Sequence, residues 1–427
     1  MSARSESILS KPQAASASNT LAFAVVTSLF FMWGFVTVLN DVLVPHLKAI
    51  FDLNYARVML IQFSFFSAYF LFSIPCAKVV DWIGYKNTMV AGVTTMGCGA
   101  LLFIPAANLA SYPLFLGALM VLAAGITGLQ VAANPYIAVL GDPKTASSRL
   151  NLSQAFNSLG TAIAPALGGL LILRAAPASM EAVRRLGPEA AQAYRVHEAA
   201  SVKIPYLVIG LALIALAVII ALFKLPPMAE AERHGSVSMS GVWRHRHLVL
   251  GIAAIFLYVG AEVSIGSFLI SYFIQPDIGR LSEMSAARYV SYYWGGAMVG
   301  RLIGAVILRR IRTGTVLGIA ALTACLLVCA SMLTTGYLAM GSIILVGLFN
   351  SVMFPSIFTL GIAELGPLTG DGSGLLIMAI VGGAALPVLQ GMLADNIGIH
   401  HAFIIPAICY VYIVYYAFRG SRPVVLA

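Results

Sequence analysis

The sequence predicts an all-α membrane protein whose twelve transmembrane helices fall into two six-helix halves. Three observations carry that expectation. The chain of 427 residues is 60% hydrophobic and 10% charged, with a mean hydropathy of +0.93. Ordinary soluble domains are about 25% charged and about 45–50% apolar, so this chain has too little polar material for a surface in water and must be solvated by lipid. Apolar runs near the length needed to cross a bilayer, about 20 residues, recur twelve times, and a polar stretch at mid-chain divides them six and six.

In order, the first six spans are 21–47, 56–80, 88–108, 112–140, 150–173 and 205–223. The second six are 248–275, 286–309, 314–335, 337–364, 372–394 and 402–419. Residues 1–20 are polar and rich in Ser and Ala, and they lead into a span too long for a signal h-region. They read as a cytoplasmic tail with no cleaved signal. Residues 174–204 are rich in Ala, Glu and Arg and read as an insert on the outer side, able to form a surface helix. Residues 224–247 read as a cytoplasmic linker. The expected organisation is a tail (1–20), a first half (21–223) carrying the insert, the linker, and a second half (248–427).

Charge placement gives the orientation. The formal net charge of +9 could suggest nucleic acid, but the basic residues cluster in short segments between apolar runs, which is a topology signal. With the amino terminus inside, fifteen Lys and Arg lie on inner segments and nine on outer ones, and five of those nine sit in the long insert. Both termini are expected on the cytoplasmic side, in a bacterial inner membrane. The five cysteines, Cys76, Cys98, Cys325, Cys329 and Cys409, lie in apolar runs without metal or disulfide spacing. The chain shows no phosphate-binding glycine motif, no cysteine–histidine pair and no metal-spaced cluster. An enzyme, a cofactor, a metal centre and a nucleic-acid partner are not expected, so uphill movement of a solute would draw on an ion gradient.

The halves look like copies of one another. "GLQVAANPYIAVLG" (Gly128–Gly141) matches "LFNSVMFPSIFTLG" (Leu348–Gly361), placing Pro135 on Pro355, Gln130 on Asn350 and Gly141 on Gly361. "SAYFLFSIPCAKVVDWIGYKN" after span 2 has a weaker counterpart in "GGAMVGRLIGAVILRRIRTGT" after span 8, which holds Arg301. Repeated halves in a twelve-span chain point to a transporter with its site between them.

Polar residues inside the spans point the same way. Of sixteen Asp and Glu, only Asp41 and Glu262 lie clearly within spans. A central carboxylate costs about 2.5–3.5 kcal/mol on insertion scales. The cost falls if the group faces a wet cavity or takes a proton. Trp33, Thr37 and Asp41 share one face of span 1, and Thr127, Gln130 and Asn134 share one face of span 4. Asn151, Gln154, Ser158 and Thr161 form a stripe on span 5 with Asn157 beside it, and Tyr258, Glu262 and Gly266 share a face of span 7. Any one amide can be glue between helices. Four helices with such stripes exceed what glue normally needs. Amides bond hydroxyls in both directions and aromatic faces cover C–H patches, a combination suited to a polyhydroxylated ring.

"AKVVDWIGYKN" (Ala77–Asn87) resembles the cytoplasmic loop motif of the major facilitator superfamily, with Asp81, Gly84 and Lys86 in its acidic, glycine and basic places. More specific is the set "LNDVLVPHLK" (Leu39–Lys48), "LIQFSFF" (Leu60–Phe66), "AANPYIAVLG" (Ala132–Gly141), "RLNLSQAFNSLG" (Arg149–Gly160) and "YVGAEVSIGSFL" (Tyr258–Leu269). It resembles the fucose permease and glucose/galactose transporter family of sugar–cation symporters, over all the spans and closer to the glucose/galactose branch. In the fucose permease an aspartate in span 1, a glutamate in span 4 and an asparagine in span 5 serve proton coupling and sugar recognition. Asp41 matches the first and Asn157 the third, whereas the span-4 position is Gln130, which carries no proton, and Glu262 appears in span 7.

The resemblance implies import of a hexose, glucose- or galactose-like or fucose, with a proton or sodium ion by alternating access, in a protein that functions as a monomer in the bilayer. Asp41 and Glu262 are then the coupling residues. Gln130, Asn134, Gln154, Asn157, Asn350 and Gln62 are the sugar contacts, with Trp33 and Tyr258 as stacking faces, and Asp81, Gly84, Lys86 and Arg301 serve gating. The rival readings are a proton-coupled drug antiporter of the same fold and a sugar sensor that moves nothing.

Overall fold

A computed structural model describes residues 11–51, 55–171, 187–226 and 239–423, and the regular elements among them are all helical. α1 (Lys11–Phe51) begins inside the segment expected as a tail. Its first turns carry Ala14, Ala15 and Ala17, and alanine has the highest intrinsic helix propensity, so the helix extends into polar sequence.

α2 (Tyr55–Asn108) has 54 residues, which as one straight helix would run about 80 Å, against a hydrocarbon core of about 30 Å. It is broken at Gly84, whose φ of 78° and ψ of 169° suit a residue without a Cβ. The two arms fold back on each other. A side chain placed at Gly128 would meet Cys76 Sγ at 3.2 Å and Gly92 Cα at 3.9 Å, positions eight residues before and eight after the break. α3 (Tyr112–Val139) opens with Pro113 in its first turn, where no N–H is needed. Its free C-terminal carbonyls are met by Arg149 from the next helix, with Nη2 2.7 Å from Ala138 O and Nε 3.2 Å from Ile137 O. A cation there also suits the negative end of the helix dipole.

α4 (Ala146–Leu171) follows, then α5 (Pro188–Ala199), a short helix within the expected insert, and α6 (Lys203–Leu222). The second half holds α7 (Arg246–Phe273), α8 (Glu283–Ile307) and α9 (Thr313–Leu333). α10 (Gly336–Asn350) and α11 (Met353–Gly361) form one path interrupted at Ser351 and Val352. α12 (Thr369–Met378) and α13 (Gly382–Ile397) form another, joined by a tighter turn at Ala379–Val381. α14 (Ile399–Ala402) leads into α15 (Ile404–Tyr415).

Among the described residues nine stretches are long and apolar enough to cross a membrane, with Phe63–Asn108 counted once. Two features separate nine from the expected twelve. The break at Gly84 makes two arms of that stretch, and α4 and α8 fall outside the nine because they carry the polar stripe from Asn151 to Thr161 and the cations Arg288 and Arg301. The layout is consistent with twelve crossings. Those two polar helices pack on each other across the halves, and a second seam sets α2 and α3 against α12.

Candidate substrate and coupling site

Glu262 on α7 is partly buried and accepts a hydrogen bond from Tyr258 OH one turn earlier, at 2.8 Å. Arg301 on α8 lies near enough to act on its charge. The same guanidinium reaches across the halves, donating from Nη1 to Ser158 Oγ and to Gln154 O of α4 at 3.4 Å. Asn151 Nδ2 in turn donates to Arg301 O at 2.6 Å. The arginine that acts on the acid of the second half is therefore bonded to the polar stripe of the first. Sequence reading grouped Arg301 with the gate. Its signal was present in the count, because 25 basic residues less fifteen inner and nine outer leave one inside a span.

In the first half Gln130 is buried on α3, with Nε2 donating to Tyr69 OH of α2 at 2.9 Å. Asn157 donates from Nδ2 to Phe30 O of α1 at 3.0 Å. α1 passes close there because residue 34 is glycine, and an added Cβ would stand 2.5 Å from Asn157 Nδ2. Trp33 is buried on the same helix, its ring 4.4 Å from that of Phe30. Asn134 is completely buried, and neither its amide nitrogen nor its oxygen has a partner. Asp41 lies on α1 and Gln62 on α2, at positions whose side chains fall outside the described residues.

The repeat that matched Gln130 with Asn350 has a structural counterpart, since Asn350 Nδ2 donates to Tyr293 OH at 2.8 Å. Asn350 differs in being sealed. Its Oδ1 accepts from Tyr410 OH at 2.7 Å, and the residue has no exposed surface. Both ends of the amide are thus committed to tyrosines, which leaves nothing to offer a sugar in this conformation. Asn350→Ala is expected to strand two buried hydroxyls and lose about 2–4 kcal/mol of stability, read as a lower thermal midpoint in detergent. The half-saturation for sugar should barely move in the surviving protein.

Of the residues expected to serve gating, Asp81 sits beside the N-terminus of α12, where a side chain at Gly370 would lie 3.4 Å from its Oδ1. Lys86 Nζ donates to Ala221 O near the end of α6, at 2.7 Å. The contact between halves is made by Lys78, whose Nζ is 3.0 Å from Asp371 Oδ1 and 3.7 Å from Asp81 Oδ2. Further cross-half bonds run from Ser147 Oγ to Thr359 Oγ1 (2.6 Å) and Thr313 Oγ1 (2.9 Å), from Ser148 Oγ to Ala305 O (2.5 Å) and from Ser373 Oγ to Val131 O (2.9 Å). Sequence reading missed Lys78 and Asp371. Lys78 stands one turn before Asp81 in the quoted loop, and Asp371 lies just outside the predicted eleventh span. The cross-half bonds gather toward the face that bears the 77–87 and 142–149 segments.

Apolar helices that press together at one face, around a half-buried acid and arginine and a row of amides, define a polytopic membrane protein of transporter type. The chain belongs to the Major Facilitator Superfamily, whose family description matches residues 21–380. It is 52% identical over 403 residues to the glucose/galactose transporter of Brucella abortus, covering 94% of each chain. It is 35% identical over 416 residues to the L-fucose-proton symporter of Escherichia coli, covering 95% of this chain and 94% of the relative. A solved Major Facilitator Superfamily transporter, FucP, in the outward conformation, matches with a TM-score of 0.87 and 34% identity over 94% of this chain and 98% of that one.

Proposed function

We propose that this protein imports a glucose- or galactose-like hexose together with a proton. The observation that carries the reading is Arg301, whose charge acts on Glu262 while its Nη1 bonds Ser158 and Gln154 of the other half. The similarity to proteins named for glucose/galactose transport and fucose–proton symport supports the substrate and the ion. A guanidinium whose charge acts on Glu262 disfavours a metal cation there, because like charges repel. A proton can neutralise Glu262 without displacing that guanidinium. Once neutral, the acid holds Arg301 less firmly, and Arg301 can pass its hydrogen bonds to sugar hydroxyls between α4 and α7.

Asp41 supplies the second coupling acid. Closing the halves over a bare carboxylate would cost several kcal/mol, and a proton removes that cost. Asp41→Asn should retain sugar exchange and lose gradient-driven accumulation. Concentration of sugar by that variant would rule Asp41 out as an obligatory coupling residue.

The closed face carries Lys78, Lys86, Lys144, Arg149, Arg309, Arg310 and Arg312, which the positive-inside rule places in the cytoplasm. The conformation is then outward-open, in a monomer of the bacterial inner membrane with both termini inside. The match to FucP in its outward conformation supports this.

Gln130 contacts sugar and is neutral at every working pH. Gln130→Ala should raise the half-saturation for galactose about tenfold, the loss of one or two hydrogen bonds, without changing its pH profile. Unchanged affinity removes this residue from the site. The substrate class is tested by competition during exchange of labelled galactose in proteoliposomes. Glucose, galactose and fucose should compete and lipophilic cationic dyes should not. The reverse pattern favours the drug-antiporter reading.

A further inference from the structure

Asn134 lies one turn beyond Gln130 on α3 and has no exposed surface, yet no hydrogen bond meets either end of its amide. An amide withdrawn from water without partners costs a few kcal/mol. The neighbouring residues show where it stands. Pro135 has no N–H, so the carbonyl of Val131, four residues earlier, lacks its intrahelical donor. Ser373 of α12, in the other half, supplies that donor at 2.9 Å. α12 is also pressed on α2 at this level, where a side chain at Gly374 would meet Ala77 Cβ at 2.8 Å and Ser73 O at 3.2 Å. When the halves part at this face, Ser373 leaves. α3 then presents a carbonyl with no donor and, three residues on, an amide with both valences unmet.

We propose that Asn134 and the Val131 carbonyl form a release-side subsite for the hydroxyls of the transported sugar, sealed in this conformation and assembled when the halves separate at the 77–87 face. The subsite rests on the sugar-transport reading above. One sugar hydroxyl donates to the carbonyl freed by Pro135. A second bonds the amide as donor, acceptor or both, as hydroxyls and amides can. The sugar thus moves from Gln130 to Asn134, one turn along α3, on its way out. The same orphaned amide held permanently by trapped water would have no such sidedness.

The test is exchange of radiolabelled D-galactose by the full chain in right-side-out and inside-out membrane vesicles, which present opposite faces to the sugar. Asn134→Ala should raise the half-saturation at the 77–87 face by about tenfold or more and leave the other face within about twofold. Asn134→Ser keeps a hydroxyl and should lie between. It carries the same test if the alanine variant fails to reach the membrane. An equal shift at both faces overturns the subsite and makes Asn134 a central or structural group. No shift at either face overturns it in favour of trapped water. A parent protein that exchanges no galactose in either preparation overturns the transport reading itself, and the subsite with it.

Discussion

Arg301→Ala is expected to abolish gradient-driven sugar accumulation, and adding Glu262→Gln to it should bring back sugar exchange. The guanidinium acts on Glu262 while its Nη1 bonds Ser158 and Gln154 of the other half. Without it, Glu262 keeps only the Tyr258 hydroxyl. Stranding a buried charge costs about 3–5 kcal/mol, and Glu262 is only partly buried, so the lower end applies. At about 1.4 kcal/mol per tenfold, that is a loss of about a hundredfold in the rate of closing over empty or loaded sites. Glu262→Gln removes the stranded charge, so the double variant should be less impaired in exchange than Arg301→Ala alone. That sign of non-additivity is what electrostatic coupling between two groups produces. Arg301→Lys should rescue poorly, since a point-charge ammonium cannot fork toward Glu262 and α4 at once. If Arg301→Ala accumulates sugar like the parent, the bridge is structural.

Lys78→Ala is expected to shift the protein toward the state open at the 77–87 face. Lys78 is shared between Asp371, which is buried, and Asp81, which is about half exposed. Removing the lysine leaves two carboxylates facing the same gap. Exposed ion pairs contribute up to about 1 kcal/mol and broken buried pairs cost about 3–5. A value near 2 kcal/mol is expected for this intermediate case, a shift of about thirtyfold in the equilibrium between states. Asp81→Ala should shift it less and in the same direction, because Asp81 is the more solvated partner. Labelling of a cysteine placed at Thr359 by an impermeant thiol reagent added from the gate side reads the shift, in a background lacking the five native cysteines. Faster labelling with Lys78→Ala supports the gate. A reversed pair, Lys78→Asp with Asp371→Lys, should restore slow labelling. Equal labelling in parent and Lys78→Ala means that the remaining hydroxyl contacts, Ser147 with Thr313 and those of Ser148 and Ser373, close the gate without the ion pair.

Much of the architecture was legible in the sequence because lipid imposes it. Apolar length marks the spans, Gly84 marks a reversal that only glycine makes readily, and the matched prolines and amides mark the repeat. The repeat extended to side chains, with Gln130 and Asn350 each bonded to a tyrosine of the helix two spans earlier. Neither tyrosine stood out, since Tyr69 and Tyr293 lie in runs of aromatic residues where packing alone would explain them. The gate pair was hidden for a different reason. Lys78 and Asp371 are 293 residues apart, and spacing along one chain carries no information about a contact between halves. Arg301 was grouped with the gate, and it lies in the segment that the repeat matches to the 77–87 loop. Its side chain reaches into the seam, where it bonds Ser158 and Gln154 and its charge acts on Glu262. Helix periodicity told which residues share a face, as for Thr127, Gln130 and Asn134. It could not tell that Gln130 would be bonded and Asn134 left bare. That difference comes from the helices packed against α3.

The most direct test is uptake of labelled galactose into proteoliposomes with an imposed ion gradient. A pH gradient, acidic outside, should drive internal galactose above the external concentration, and a protonophore should abolish the excess. A sodium gradient alone should give only equilibration. Equilibration under both gradients, or accumulation driven by sodium and indifferent to the protonophore, contradicts proton-coupled import through the Glu262–Arg301 pair.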